Sequence, residues 1–97
     1  MDFEDLAPKI DEAASLMEML SQPARLQILC ILLEGEQSVM QLARAVQLSQ
    51  PAMSHHLKKL KLAKLVQTRR DAQTIYYSLK GSEVESVLKT LHDLYCK

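Results

Sequence analysis

Two helix-start signals, at Ser38 and Ser49, lie so close together that they fix the arrangement of the middle of the chain. The Ser-Val-Met-Gln segment that begins at Ser38 has the spacing of a capping box and predicts a short helix over residues 39–46. Ser49 can cap the next helix, and Pro51 lies in its first turn, where the missing N–H costs little. Two helices joined by residues 47–49 predict a helix-turn-helix.

Two strand-like segments follow the second of these helices. Residues 65–70 and 73–79 are rich in Val, Thr, Ile and Tyr, and Asp71 and Ala72 separate them. A basic hairpin directly after a helix-turn-helix is typical of a wing. The predicted fold class is therefore mainly α with a small β-hairpin wing, a winged helix-turn-helix with four helices, two strands and a last helix.

Three further helices flank this unit. The first is predicted from Leu6 to Leu20, because apolar residues recur there at helical spacing. The second has Pro23 in its first turn and Ser21 as its expected cap, and apolar residues surround its axis, so we expect it to be buried at the centre. The last helix begins at Ser82, whose spacing to Glu85 predicts another capping box.

Length and composition limit the class of protein. Ninety-seven residues, 47% of them apolar and 25% charged, predict one globular domain over residues 1–97. No apolar run reaches the roughly 18 residues of a membrane helix, and the acidic N-terminus lacks the features of a signal peptide, so we expect a cytoplasmic protein with no membrane partner. The sequence has no phosphate loop and no nucleophile beside a base, so we predict neither an enzyme nor a cofactor.

The formal net charge of zero conceals a segregation of charge along the chain. Residues 1–20 hold one base and six acids (1 − 6 = −5), whereas residues 49–80 hold seven bases and one acid (7 − 1 = +6). A positive field in one third of the chain favours a surface that faces a polyanion. Composition alone would favour the alternative, a solvated charged face.

The second helix of the predicted helix-turn-helix has a polar, basic face that carries no acid. Because the N-terminus of this helix enters the major groove in helix-turn-helix proteins, its first turns are expected to meet DNA bases. The residues expected to approach base edges are Gln50, Ser54 and His55. Those expected to contact phosphates or the minor groove are Ser49, Lys58, Lys59, Arg69 and Arg70. His56, at the edge of the apolar face, is expected to pack or to position a phosphate, and not to bind metal.

The first and last helices carry apolar stripes that the rest of so short a chain cannot cover. We therefore expect them to join two subunits as a homodimer. The residues predicted for this interface are Ile10, Ala13, Ala14, Met17, Val87, Leu88, Leu91, Leu94 and Tyr95.

Three segments, taken together and in order, resemble one known family. They are LSQPARLQIL at residues 20–29, LSQPAMSHHL at 48–57 and RRDAQTIYYSL at 69–79. In these segments the chain closely resembles the ArsR/SmtB family of dimeric winged-helix transcription regulators. The resemblance implies a homodimer that binds operator DNA, an AT-rich inverted repeat, and releases it when an inducer is bound.

The metal-sensing positions of that family are not matched here. Members that sense arsenic or cadmium have a Cys-x-Cys in the third helix, where this chain has Ser-Val-Met-Gln-Leu from Ser38. Members that sense zinc use paired Asp, His and Glu ligands on the last helix, where His92 is the only histidine. We therefore predict no metal site.

Cys30 and Cys96 match the cysteine pair of the dithiol branch of the family, which responds to persulfides and oxidants. The resemblance implies that reactive sulfur species or oxidants bridge the two thiols of one protomer and thereby release the operator. Cys96, terminal and off the apolar stripe, is expected to react first as a thiolate, and Cys30, expected to be buried, to resolve the product.

Two other functions remain open. One is a winged-helix module that binds a protein and uses the dithiol only structurally, and the other is an anti-silencing activator with the same DNA-binding surface. Lys64 and the Asp71-Ala72 pair stand where most family members have glycine. The turn at Lys64 is therefore expected to be built differently, and both departures are expected to alter DNA spacing or affinity.

Overall fold

The computed structural model describes residues 2–96, and within them the chain forms six α-helices, one short 3-10 helix and three β-strands. The first elements are α1 (Phe3–Leu6), the 3-10 helix (Ala7–Lys9), α2 (Ile10–Leu20) and α3 (Pro23–Glu34). They are followed by β1 (Gln37–Ser38), α4 (Val39–Val46), α5 (Gln50–Leu62), β2 (Val66–Asp71), β3 (Thr74–Leu79) and α6 (Ser82–Tyr95). The predicted winged helix-turn-helix is confirmed, with α4 and α5 as its helices and β2–β3 as its wing.

Helix α3 lies at the centre of the fold and contacts α2, α4, α5, α6 and β3. Its residues Ile28 and Leu29 are fully buried, as are Leu57 and Leu60 of α5. The expectation that α3 is buried on every side is wrong at Cys30, which is exposed. The reason is that an open groove remains between α3 and the end of α4, and Cys30 lies in the wall of that groove.

The two helix starts that define the helix-turn-helix form as predicted. The Ser38 hydroxyl accepts from the Gln41 N–H at 3.2 Å, and the Gln41 side-chain carbonyl accepts from the Ser38 N–H at 2.8 Å. Gln47 takes a left-handed conformation (φ 60°) that ends α4 and turns the chain towards Ser49. The Ser49 hydroxyl then accepts from the Ala52 N–H at 3.2 Å, which starts α5.

The wing belongs to a three-stranded antiparallel sheet with the order β1-β3-β2. In β2–β3, Arg69 pairs with Tyr76 and Thr68 with Tyr77. The sequence did not predict β1, which pairs Ser38 with Tyr76 on the other side of β3. A strand of two residues has too little sequence to show an alternating pattern, and it ties the start of the helix-turn-helix directly to the wing.

Three predicted details of the helices are wrong. The predicted first helix is divided, because Pro8 opens a 3-10 turn between α1 and α2. Ser21 does not cap α3: its hydroxyl donates to the Glu18 carbonyl at 2.6 Å, and Gln22 is the cap residue. Ser82 is the first residue inside α6 and Gly81 is its cap, so the predicted capping box does not form.

The two turns that lack the expected glycine contain strained residues. Lys64, after α5, has φ 62°, and Ala72, at the wing tip, has φ 56°. Residues with a Cβ adopt this region at an energetic cost that glycine does not have. Both turns therefore keep the positive φ that glycine favours, and each carries a side chain at that position. The expectation of a differently built backbone at Lys64 is wrong.

No single helix within residues 2–96 is long and apolar enough to cross a membrane. The pair Phe3–Leu20 and Pro23–Glu34 reaches such a length and composition only when taken together, and its two parts are bent by 95° relative to each other.

Candidate DNA interface and thiol pair

Helix α5 presents a polar face because its large apolar residues turn inward, except for its last residue, Leu62, which is 74% exposed. Met53, Leu57 and Leu60 are fully buried against the rest of the fold. The residues predicted to contact DNA from this helix and its cap are exposed, with the exception of His56: Ser49, Gln50, Ser54, His55, Lys58 and Lys59. The helix has no acidic residue, and Lys61 adds another positive charge near its end. This face can therefore approach the phosphate backbone without charge repulsion.

His56 is half-buried, and its Nδ1 atom is inaccessible and has no hydrogen-bond partner in the structure. Burial lowers the pKa of His56, and the positive charges of Arg25, His55 and Lys59 lower it further. The neutral imidazole is therefore favoured at neutral pH. Its position agrees with the predicted packing role, and the buried Nδ1 leaves Nε2 as the nitrogen able to donate to a phosphate.

Arg25, which contributes to this field, is the one charged residue among the buried side chains of residues 2–96. Within those residues it is held by backbone carbonyls and not by an acid. Its Nε donates to the Met19 carbonyl at 2.8 Å and its Nη2 to the Glu18 carbonyl at 3.2 Å. These carbonyls lie in the last turn of α2, where a positive charge stabilises the negative end of the helix dipole. Arg25 thus fastens α2 to α3.

In the wing, Arg69 is held by an acid that the sequence did not identify. Its Nε and Nη2 donate to the Glu36 carboxylate at distances between 2.7 and 3.0 Å, and its guanidinium lies 4.7 Å from the centre of the Tyr76 ring. The ion pair lowers the pKa of Glu36 and raises that of Arg69. Since β1 places Glu36 beside the wing, a DNA phosphate would have to replace this carboxylate to bind Arg69.

The other wing arginine has no acidic partner among the described contacts. Arg70 lies on the strand next to Arg69, so the two side chains point to opposite faces of the sheet. Its Nε donates to the Ala72 carbonyl at 3.0 Å, which keeps the guanidinium at the wing tip. Arg70 is exposed there and needs no displacement to reach a polyanion.

Cys30 of α3 and Cys96, directly after α6, are both free thiols and both exposed. The predicted burial of Cys30 is therefore wrong, although partial desolvation still raises its pKa. The charge of the Cys96 thiolate raises the pKa of Cys30 further. Helix α6, which Cys96 follows, contacts α3. Within residues 2–96 no three His, Cys, Asp or Glu side chains are grouped so that they could hold a metal ion.

The predicted subunit-interface residues divide into three groups by their exposure. Leu88 is 2% exposed and packs inside the protomer, so its assignment to the interface is wrong. Val87 and Leu91 are half-buried, as is Ala13. The remaining predicted interface residues are exposed: Ile10, Ala14, Met17, Leu94 and Tyr95. The exposed and half-buried residues of this set form an apolar surface on α2 and α6.

Comparisons with known proteins agree with this geometry. The family model "Bacterial regulatory protein, arsR family" matches residues 22–68. Over 97 residues the chain is 40% identical to the transcriptional activator HlyU of Vibrio cholerae, a match that covers 100% of this chain and 90% of the relative. The structure of the transcriptional repressor BigR from Xylella fastidiosa has a TM-score of 0.94 at 34% identity, with 100% of this chain and 99% of that chain covered. A structure of reduced HlyU from Vibrio cholerae has a TM-score of 0.90 at 40% identity, with 98% and 100% covered.

Proposed function

This chain belongs to the arsR family of bacterial transcriptional regulators, and we propose that it is a homodimeric repressor whose Cys30–Cys96 dithiol senses reactive sulfur species or oxidants. In the reduced state the dimer binds an AT-rich inverted repeat. Bridging of the two thiols within one protomer changes the relative positions of α3 and α6 and thereby releases the DNA.

The observation that carries this proposal is the position of two exposed, free thiols on elements that pack together, Cys30 on α3 and Cys96 directly after α6. Cys30 belongs to α3, which contacts both helices of the helix-turn-helix, and Cys96 follows α6, which contributes to the proposed dimer interface. A bridge between them would connect the central helix with the helix that aligns the two subunits. The raised pKa of Cys30 lowers its thiolate fraction, which favours Cys96 as the first thiol to react.

The proposed dimer is supported by the apolar surface on α2 and α6. Met17 of α2 is 49% exposed, and Leu94 and Tyr95 of α6 are 60% and 81% exposed, and such a concentration of exposed large apolar residues favours a covering partner. A twofold axis beside these helices would cover them and would place two copies of α5 on the same side of the assembly.

The proposed DNA contacts are tested by fluorescence anisotropy on a palindromic duplex and on a random duplex at several salt concentrations. Lys59→Ala should weaken binding to both duplexes alike and reduce the salt slope by about 1–2 for a dimer, because one phosphate contact is lost per subunit. His55→Ala should reduce the preference for the palindrome and leave the slope nearly unchanged. Equal losses on both duplexes for His55→Ala would contradict its role in base recognition.

The same experiment separates the DNA-binding function from a protein-binding module. Counterion release makes DNA binding strongly salt-dependent, whereas docking of a protein is much less so. Reduced protein that binds neither duplex at low salt would favour the protein-binding module.

Activation by displacement of a silencer is the second candidate function, since the relative HlyU is named an activator. In vitro transcription from the bound promoter, with no silencer present, should show inhibition if the protein is a repressor.

A further inference from the structure

An apolar groove lies between α3 and the C-terminal turn of α4, and none of the residues in its wall is among those assigned above to DNA or to the dimer. Its volume is about 480 Å³, which is within the range of small-molecule sites. Its wall includes Leu26, Gln27, Cys30, Ile31, Ala45 and Val46. Within the described residues its wall contains no Lys, Arg, Asp, Glu or His. An exposed, free thiol thus stands in the wall of an uncharged groove.

We propose that this groove binds the organic part of a persulfide, R–S–SH, in which R is apolar and uncharged. This inference rests on the dithiol function proposed above and names the class of substrate for that site. Burial of each methylene group improves affinity by about fourfold, so a short alkyl chain gains from this wall. A carboxylate of a charged persulfide would lose its hydration there and find no cationic partner.

The position of the thiols gives the bound persulfide a defined direction. With R among Leu26, Ile31 and Val46, the sulfur atoms lie at the Cys30 side of the groove. Cys30 belongs to α3, which contacts α6, and Cys96 follows the last residue of α6. In this proposal the sulfane sulfur therefore meets the Cys96 thiolate while Cys30 stays beside the leaving group.

The reaction balances in two steps. The Cys96 thiolate attacks the outer sulfur of R–S–SH, the S–S bond of the persulfide breaks, and the products are Cys96–S–SH and R–S⁻, which takes a proton from water. The Cys30 thiolate then attacks the sulfur bonded to the Cys96 side chain and displaces HS⁻. Two thiols are oxidised to one disulfide, and the sulfane sulfur is reduced to sulfide.

The test is the rate of thiol consumption, followed by rapid quenching and intact mass, with butyl persulfide, glutathione persulfide and inorganic tetrasulfide. The rate with glutathione persulfide is divided by the rate with butyl persulfide, which removes general effects on the thiols because the two reagents share the persulfide group and differ only in R; tetrasulfide, which has no R group, reports whether the thiols can be bridged at all. Ala45→Glu and Ala45→Lys change the charge of the groove wall at an exposed position of α4. Met40→Glu adds a charge to the same helix outside the groove and is the control.

We expect the unmodified protein to prefer butyl persulfide over glutathione persulfide by roughly tenfold, which is the gain from two or three partly buried methylene groups. Glutathione persulfide is anionic, so Ala45→Lys should raise its relative rate and Ala45→Glu should lower it, each by roughly two- to fivefold. Met40→Glu should match the unmodified protein. Gln27→Glu, from the opposite wall, should repeat the effect of Ala45→Glu and serves if that variant does not fold.

Identical rate ratios in all these variants would overturn the groove assignment and leave the dithiol function standing, provided that tetrasulfide still bridges the thiols and releases DNA. A protein that no sulfur species converts to a bridged form would overturn both proposals. The two failures are therefore distinguished by the tetrasulfide measurement alone.

Discussion

The guanidinium of Arg69 binds the carboxylate of Glu36 through two nitrogens, although 33 positions separate the two residues. The contact crosses β3, whose Tyr76 ring lies under the guanidinium. It therefore fastens the wing to the segment that begins the helix-turn-helix. Because Arg69 is also a candidate phosphate ligand, Glu36 and DNA compete for the same side chain.

This competition predicts that Glu36→Gln binds DNA more tightly. The substitution removes a negative charge beside the wing and frees Arg69, so one phosphate contact per subunit is gained. The salt slope for a dimer should become steeper by about 2, and binding to random DNA should strengthen as well. Glu34→Gln is the matched control, because Glu34 is exposed and has no bond to Arg69. An unchanged slope in Glu36→Gln would mean that Arg69 does not reach DNA.

The strained turns predict that glycine stabilises the protein at two positions. Ala72→Gly and Lys64→Gly should each raise the free energy of unfolding by about 0.5–1 kcal/mol, because glycine removes the cost of a positive φ. Ala63→Gly is the control: Ala63 has φ −78°, so the same change should destabilise the protein slightly. Urea unfolding at one fixed protein concentration measures all three. Destabilisation by Ala72→Gly would contradict the strained wing tip.

The apolar surface on α2 and α6 predicts that Leu91→Glu yields monomers that no longer bind the palindrome. Leu91 is half-buried in the protomer, and a second subunit would bury it together with the new carboxylate. Light scattering gives the oligomeric state. Met40→Glu, which replaces an exposed apolar residue outside this surface, should stay dimeric. Leu91→Glu protein that remained a dimer would place the interface elsewhere.

The half-buried His56 leads us to predict that the free energy of unfolding depends on pH. Its pKa is lowered by folding, so the unfolded chain binds more protons than the native protein between the folded pKa and the unfolded value of about 6.5. Stability should therefore fall as the pH decreases through 6.5. His56→Gln should reduce this dependence, measured by urea unfolding at pH 5.5, 6.5 and 7.5. His55→Gln, on the exposed face, should keep it, and an equal reduction in both variants would contradict the account.

The parts of the fold that the sequence predicted are those decided by neighbouring residues. The capping box at Ser38 and the Ser49 cap depend on groups within three positions, and both form as predicted. The predicted cap at Ser82 failed because Gly81 was available one position earlier, with a φ of 85° that suits glycine. Local signals therefore located α2 to α6 and erred at some of their ends, and they missed the separate α1 and the 3-10 turn.

The parts that the sequence could not predict depend on contacts between distant segments. Nothing near Glu36 or Arg69 indicates that β1 brings them together. Cys30 is exposed because α4 leaves part of α3 uncovered. The sequence of an apolar helix does not show which of its residues a neighbouring helix will cover. The Arg25 guanidinium donates to backbone carbonyls at the end of α2, and only the packing of α2 against α3 brings them within reach.

The central claim is that a bridge between Cys30 and Cys96 controls DNA binding, and the most direct test measures DNA release and intact mass on the same sample. The reduced protein, Cys30→Ser and Cys96→Ser should all bind the palindromic duplex. On addition of tetrasulfide, the protein with both cysteines should lose at least about tenfold in affinity while a bridged protomer appears, and neither variant should respond. Release of DNA from Cys96→Ser without any sulfur-bridged species would contradict the dithiol mechanism.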